Sequence, residues 1–217
     1  MAIQHKDIAA IREDYTLSSL TEQEVLSDPL QQFGKWFEES LLSQVTEPNA
    51  MVLSTINEAG FPSSRVVLLK DINTDGLSFF SNYESQKAKD MAHNNQVSLL
   101  FFWPELQRQV RIIGTAEKLN AMDSDEYFAS RPRGSQIGAW SSPQSTVIPN
   151  REFLEEKVQN ITARFGEKAS IDRPDFWGGY LVRPTYFEFW QGRASRLHDR
   201  IAYQQENEIW KIKRLAP

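Results

Sequence analysis

The chain has 217 residues, 40% of them hydrophobic with 13 Phe, 6 Trp and 6 Tyr, which supplies a packed core and excludes a disordered chain. A net charge of −5 argues against a general nucleic-acid surface, since phosphate backbones select for excess Lys and Arg, so any basic cluster must be local. Zero cysteines exclude disulfide scaffolds and thiolate chemistry, and the three histidines, His5, His93 and His198, are too scattered for a histidine-rich metal site.

In chain order, the charged start "MAIQHKDIAAIREDY" is no signal peptide, and no apolar run approaches the ~20 residues that span a bilayer. A cytoplasmic protein that meets no membrane is the expectation. Residues 28–45 read as a helix: Asp28 suits the N-cap, Pro29 the first helical position, and Leu30, Phe33, Phe37, Leu41 and Val45 recur at helical spacing. Strands follow at 50–56 and 62–72, separated by the hairpin loop "NEAG", and "NTDG" leads into a strand at 77–82. A short helix at 84–94 precedes strands at 96–103 and 108–119, which turn at Pro104. Helices recur at 121–131, where Pro132 stops the first, and at 150–165, with Phe153, Val158, Ile161 and Phe165 roughly on one face. Strands at 177–182, 185–191, 200–205 and 208–215 end the chain. The pattern predicts a mostly antiparallel barrel closed by C-terminal strands, with helices packed outside it.

Several clusters could carry chemistry. Arg65 and Lys70 bracket the apolar run Val66–Leu69, which reads as buried strand; five apart, they face opposite sides unless the strand ends or bulges between them. Solvated strand-end charges are the plain alternative. Gln109, Arg111 and Ile113 share one strand face and Val110 and Ile112 the other, so a polar pair projects from a half-buried strand. Tyr127 and Arg131 lie four apart on a helix, and Ser135 reads as the N-cap of "QIGAW"; a hydroxyl, a guanidinium and a helix N-terminus can together hold a phosphate dianion. The stretch "FWQGRASRLHDR", 189–200, sets Arg196, His198 and Arg200 at even offsets behind an aromatic strand. Ser195, His198 and Asp199 are the residue types of a hydrolase triad, but neighbours His198 and Asp199 would diverge and no G-x-S-x-G precedes them. The glycine-rich cradles G-x-G-x-x-G and G-x-x-x-x-G-K-[ST] are missing, so side chains must hold any phosphorylated ligand.

The motifs "RVVLLK", "SRPRGSQIGAW", "PQS", "FWGGY" and "FWQG" followed by "RLHDR" resemble the pyridoxine (pyridoxamine) 5′-phosphate oxidase family, and the similarity runs from "REDYT" to the final "RLAP". The resemblance implies a mainly β fold with flanking helices, an FMN-binding split β-barrel forming one domain over 1–217. Within it, 1–47 would be an N-terminal helical segment and 177–217 closing strands of a homodimer with active sites at the interface. It implies oxidation of pyridoxine 5′-phosphate or pyridoxamine 5′-phosphate to pyridoxal 5′-phosphate, with O2 as acceptor and H2O2 released, and it implies no metal. Flavin contacts fall by resemblance on Arg65, Val66, Val67, Leu68, Leu69, Lys70, Phe80, Ser81, Gln86, Lys87, Gln109, Gln144, Ser145, Trp190 and Arg200. Substrate phosphate contacts fall on Lys70, Tyr127, Arg131 and Ser135. Arg196 and His198 would hold the substrate ring at the reacting carbon, and Arg12 and Tyr15 match a segment that closes over it in relatives.

Two departures stand out. Gln86 replaces an arginine common in relatives, a loss of charge assistance worth about 1 kcal/mol at a wet site, and Phe80 stands where relatives often have Tyr. Two other readings compete: a split-barrel flavin reductase, which the substrate-phosphate set disfavours, and a flavin or pyridoxal-phosphate carrier without turnover.

Overall fold

The structure, a computed structural model, describes residues 11, 14–167 and 170–217. Its elements in chain order are α1 (Pro29–Leu42), β1 (Ala50–Ile56), β2 (Pro62–Leu68), β3 (Asp71–Asn73), β4 (Gly76–Asn82), α2 (Gln86–His93), β5 (Gln96–Trp103), β6 (Arg108–Lys118), α3 (Ala121–Ser130), α4 (Arg133–Ser141), α5 (Arg151–Phe165), β7 (Trp177–Gln191), β8 (Asp199–Glu206) and β9 (Ile209–Leu215). The strands hydrogen-bond in the order β2-β1-β5-β6-β7-β4-β3, with β8 on β7 and β9 on β8. The fold is thus mainly β with flanking helices. Two compact units emerge, one from residues 49–99 and 113–185, the other from residues 1–48, 100–112 and 186–217. Strands β5, β6 and β7 each give one end to either unit.

In the unit of residues 49–99 and 113–185, β1 alternates buried and half-buried side chains and pairs with β2 in the register Met51↔Val67 and Leu53↔Arg65. Of the apolar run Val66–Leu69 expected to be buried, only Leu69 is. Val66 is 65% exposed and Leu68 39%, because β2 is an edge strand with one face left uncovered in this chain. The expected strand 62–72 also breaks after Leu68 and resumes at Asp71 as β3.

The two strands expected either side of Pro184 are one strand, β7. Proline removes a donor, and the flanking strands accommodate this by glycine: a Cβ on Gly76 would meet Val182 O at 2.0 Å, and one on Gly114 would meet Arg183 O at 2.1 Å. Backbone therefore closes on backbone where a side chain would hold it off. Outside the sheet, α3, α4 and α5 gather around Phe128, Ile137, Phe165, Ile171 and Trp177. Of the apolar face expected on α5, only Phe165 is buried. Helix α4 starts two residues before Ser135, after an N-cap at Pro132, so Ser135 sits inside the first turn and is not the cap. Its own N–H donates to Pro132 O at 2.8 Å.

In the other unit, Asp28 caps α1 as expected, its carboxylate accepting from the N–H groups of Leu30 and Gln31 at 2.7 and 3.1 Å. Of the positions read from the sequence Phe33 and Val45 are buried, but the helix buries Pro29, Gln32, Phe33, Trp36 and Ser40, and Leu41 is exposed. Large aromatic side chains outbid leucine for the core: Phe33 packs on Phe101 at 4.9 Å and Trp36 edge-on to Phe189 at 5.2 Å. Of the segment 1–47 expected to be helical, residues 1–10, 12 and 13 lie outside the described residues, and α1 is its one described helix.

Candidate functional site

The unit of residues 49–99 and 113–185 holds a cleft of about 790 Å3. Arg65, Val66, Val67 and Leu68 reach it from β2, Lys70 from the link to β3, Phe80 and Ser81 from β4, and Gln86 and Lys87 from the first turn of α2. Tyr127 on α3, Arg131 and Ser135 at the junction of α3 and α4, and Gln144 and Ser145 in the following turn complete it. Because β2 ends at Leu68, Arg65 and Lys70 line one cavity despite their odd spacing. Leu69 is the exception: it is 5% exposed, sits in the core and does not line the cleft.

Arg65 is fixed before any ligand arrives. Its Nη1 donates to Leu53 O at 3.1 Å and Thr55 Oγ1 at 2.8 Å, and its Nη2 to Ser63 Oγ at 2.8 Å. Behind it lies the buried Asp90 carboxylate, which accepts from Thr55 Oγ1 at 2.7 Å and Gln86 Nε2 at 2.8 Å and stands 3.8 Å from Arg65 Nη2. Lys87 is buried, and its Nζ donates to Ser81 Oγ, Ser85 Oγ and Gln144 Oε1 at 3.0, 2.9 and 3.1 Å. Those acceptors are all neutral, and Ser85 gives up capping α2 to serve as one. Burial, with the Arg65 charge nearby, lowers the Lys87 ammonium to about 8. Such a cation is stabilised by any anion that replaces water beside it.

Arg131 lies over Trp177, 4.5 Å from the ring centroid, and its Nη1 is buried with no hydrogen-bond partner among the described residues. Burial lowers the guanidinium's pKa. Phe80 stacks on Tyr127 at 3.8 Å and on Trp177 at 5.6 Å, forming an apolar wall. Gly179, the register partner of Phe80, makes room for that ring: a Cβ there would stand 2.8 Å from Phe80 Cε1. This gives "FWGGY" its physical meaning. The cleft lining carries four cations, Arg65, Lys70, Lys87 and Arg131, and no carboxylate, in a chain with net charge −5.

Gln109, Trp190, Arg196, His198, Arg200 and Tyr15 belong to the other unit. There Tyr15, Arg196 and His198, with Ile11, Asp14, Arg193 and Ser195, line a cavity of about 740 Å3. Trp190 packs on His198 at 4.6 Å and edge-on to Tyr15 at 5.8 Å. Tyr15 also covers Gly192, where a Cβ would come within 2.7 Å of the ring. Arg12 lies outside the described residues. The backbone N–H of Arg193 donates to His198 Nδ1 at 3.1 Å, and burial together with the Arg196 charge lowers the imidazole pKa. A neutral ring accepting at Nδ1 carries its proton on Nε2. No triad forms: Asp199 accepts from Leu20 N and Arg214 Nη1 at 3.1 and 2.8 Å, and Ser195 and Arg196 adopt left-handed backbone, φ 56° and 60°.

Sequence reasoning missed Ser63, Ser130, Pro132 and Trp177 in the cleft lining and Asp90 behind it. Trp177 stood in a quoted motif, and Asp90 sits one helical turn after Gln86, where a reaching amide finds it.

The fold and the cleft place the chain in the split-barrel class. A pyridoxamine 5′-phosphate oxidase-related, FMN-binding protein from Nostoc punctiforme superposes with a TM-score of 0.68 at 14% identity, covering 92% of this chain and 100% of that one. PhzG from Burkholderia lata, solved in complex with tetrahydrophenazine-1-carboxylic acid, superposes with a TM-score of 0.87 at 27% identity, covering 93% and 99%. Residues 37–165 match the family described as pyridoxamine 5′-phosphate oxidase, and residues 177–217 the pyridoxine 5′-phosphate oxidase C-terminal dimerisation region. The pyridoxine/pyridoxamine 5′-phosphate oxidase of Polynucleobacter asymbioticus is 54% identical over 210 residues, covering 97% of this chain and 99% of the relative. That of Salinibacter ruber is 48% identical over 212 residues, covering 97% and 99%. The chain belongs to the pyridoxamine 5′-phosphate oxidase family.

Proposed function

We propose that the protein is an FMN-dependent oxidase that converts pyridoxine 5′-phosphate or pyridoxamine 5′-phosphate to pyridoxal 5′-phosphate, with O2 as acceptor and H2O2 released. It works as a homodimer with active sites at the subunit interface. The observation that carries this reading is the acid-free, four-cation lining of the cleft. Arg65 and Lys87 both feel the Asp90 charge while Arg131 lies over Trp177, so the lining offers cations for two phosphate esters. Arg65 and Lys87, with Ser81, Gln86, Gln144 and Ser145, would hold the FMN phosphate and ribityl chain. Tyr127, Arg131, Ser135 and Lys70 would hold the substrate phosphate, Arg131 through its unpartnered Nη1 and Ser135 through its hydroxyl, since its N–H is already used. Val66, Val67, Leu68 and Phe80 give the apolar lining that a flat ring system needs. Bound FMN would supply the two-electron acceptor and the reaction with O2.

Gln109, Trp190 and Arg200 complete the flavin contacts in this reading, and Arg196 and His198 act on the substrate ring, with Arg12 and Tyr15 covering it. Arg196 holds the ring whatever its protonation state. His198 offers an Nε2–H donor, which orients a substrate oxygen rather than removing a proton from it.

Mixing the FMN-loaded protein with pyridoxine 5′-phosphate in air tests the proposal: peroxide release matched to aldehyde formation is expected. Aldehyde and peroxide both missing from a yellow, folded protein would make it a carrier and refute the oxidase.

Two further outcomes are expected. FMN affinity is flat below pH 8 and falls by up to about tenfold per pH unit above it, because Lys87, at about 8 in the free protein, must then take up a proton to meet the phosphate. Fluorescence titrations of apoprotein between pH 6.5 and 9.5, on the order of half a unit apart, read this slope. Gln86→Arg tightens FMN binding by about fivefold in the same titration, since it places a guanidinium at the phosphate end while Asp90 remains within reach to orient it.

A further inference from the structure

The strand face that carries Trp190 and Arg200 also carries residues to which nothing so far gives a role. On β7 the side chains of Tyr186, Glu188 and Trp190 share one face, with Trp190 directly opposite Arg200 on β8 and Glu188 opposite Ala202. Phe187 and Phe189 fill the core on the other side. Glu188 alone among these polar side chains is almost fully buried, at 3% exposure.

Its carboxylate is saturated. Oε1 accepts from Arg200 Nε at 2.9 Å and stands 2.8 Å from Arg200 Nη2 in the ion pair, and Oε2 accepts from Arg111 Nη2 at 2.7 Å and Tyr186 Oη at 3.0 Å. Arg200 Nη1 donates to Ala216 O at 2.7 Å, so its guanidinium is held on both edges. Arg111 donates to Glu188 through Nη2 and its guanidinium faces the Tyr186 ring at 5.6 Å, while its buried Nε has no partner among the described residues. Two guanidiniums share one carboxylate, which leaves the cluster with a net positive charge facing outward.

We infer that Glu188 is a positioning residue, which sets Arg200 in the orientation that meets the flavin. This rests on the proposed contact between Arg200 and FMN. Burial by itself would raise the Glu188 carboxyl, but hydrogen bonds from Arg200 and Tyr186 and the charge of Arg111 outweigh it and hold the group below its usual value. It is therefore ionised throughout the neutral range. Arg200 is stabilised as a cation chiefly by its hydrogen bonds to Glu188.

Glu188→Gln keeps the shape but puts an NH2 where one oxygen accepted, so Arg200 and Arg111 cannot both be satisfied. Titration of folded, dimeric apoprotein with FMN is expected to show Kd raised by about tenfold, with a shifted flavin reduction potential. Arg200→Gln should raise Kd by a similar factor, and the double variant by little more than either alone, because both changes disable one contact. Glu188→Asp keeps the charge but withdraws it by one methylene and should rescue in part, at a few-fold above wild type. A wild-type Kd and potential in Glu188→Gln, beside a weakened Arg200→Gln, would overturn the inference while leaving the flavin contact standing. A wild-type Kd in Arg200→Gln would instead remove the contact on which it rests. Should Glu188→Gln not fold, Glu188→Asp decides: wild-type affinity there overturns the positioning role.

Discussion

Lys87→Met should weaken FMN binding by about a hundredfold or more while leaving the apoprotein at least as stable as wild type. The two halves of this result have one cause. Lys87 is buried, and its hydrogen-bond partners among the described residues are two hydroxyls and an amide oxygen. Keeping a charge there lowers the ammonium from 10.5 to about 8, a cost to the ligand-free fold on the order of 3 kcal/mol. That penalty is complete below pH 8 and fades as pH rises towards 10.5, where the unfolded chain also loses its proton. Methionine has similar reach without the charge, so it relieves the penalty and fills the space. With the phosphate ester present the balance reverses, and the missing charge-assisted bonds cost about 3 kcal/mol, hence the hundredfold. Thermal melting of apoprotein and fluorescence titration with FMN check the two halves. A destabilised apoprotein with unaltered FMN affinity would make Lys87 structural.

Arg131→Met should lower kcat/KM for pyridoxine 5′-phosphate by about a hundredfold, mostly through KM, with FMN content unchanged. The methionine stem keeps apolar contact with Trp177, so the wall of Phe80, Tyr127 and Trp177 should persist. What disappears is the cation whose Nη1 already sits buried and unbonded. The guanidinium is desolvated in advance, so the phosphate gains a strong partner and the free protein loses little when it goes. Steady-state kinetics with the phosphorylated substrate, beside the flavin absorbance of the purified variant, separates the two sites. Loss of FMN with unchanged KM would place Arg131 at the cofactor instead.

Local chemistry was legible in the sequence where a single residue decides the outcome. Asp28 and Pro29 announced the start of α1, and the alternation around Gln109 and Arg111 announced the two faces of β6: Val110 and Ile112 are buried, whereas Arg111 is partly exposed. What stayed hidden depends on neighbours distant in sequence. Val66 and Leu68 read as core because they are apolar, yet an edge strand leaves such residues open. Residues 177–191 read as two strands, and the glycines that let one strand carry Pro184, Gly76 and Gly114, lie on other strands.

Within the site, helical spacing set Tyr127 and Arg131 on one face beside Ser135 as groups able to hold a phosphate, but the N-cap expected at Ser135 is Pro132, three residues earlier. The parity of Arg65 and Lys70 left open whether one cavity could take both, and the end of β2 at Leu68 decided it. Asp90 and Glu188 carried no such mark. A buried carboxylate is known by the arginines around it, and those come from other segments.

Anaerobic mixing of the FMN-loaded protein with substrate, followed by flavin absorbance, tests most directly whether side chains alone grip both phosphate esters for the reaction. Pyridoxine 5′-phosphate should bleach the flavin and yield one aldehyde per flavin reduced, whereas pyridoxine lacking the phosphate should react at least about a hundredfold more slowly at equal concentration. A flavin that stays oxidised with the ester, or that bleaches equally fast with both alcohols, would contradict the account.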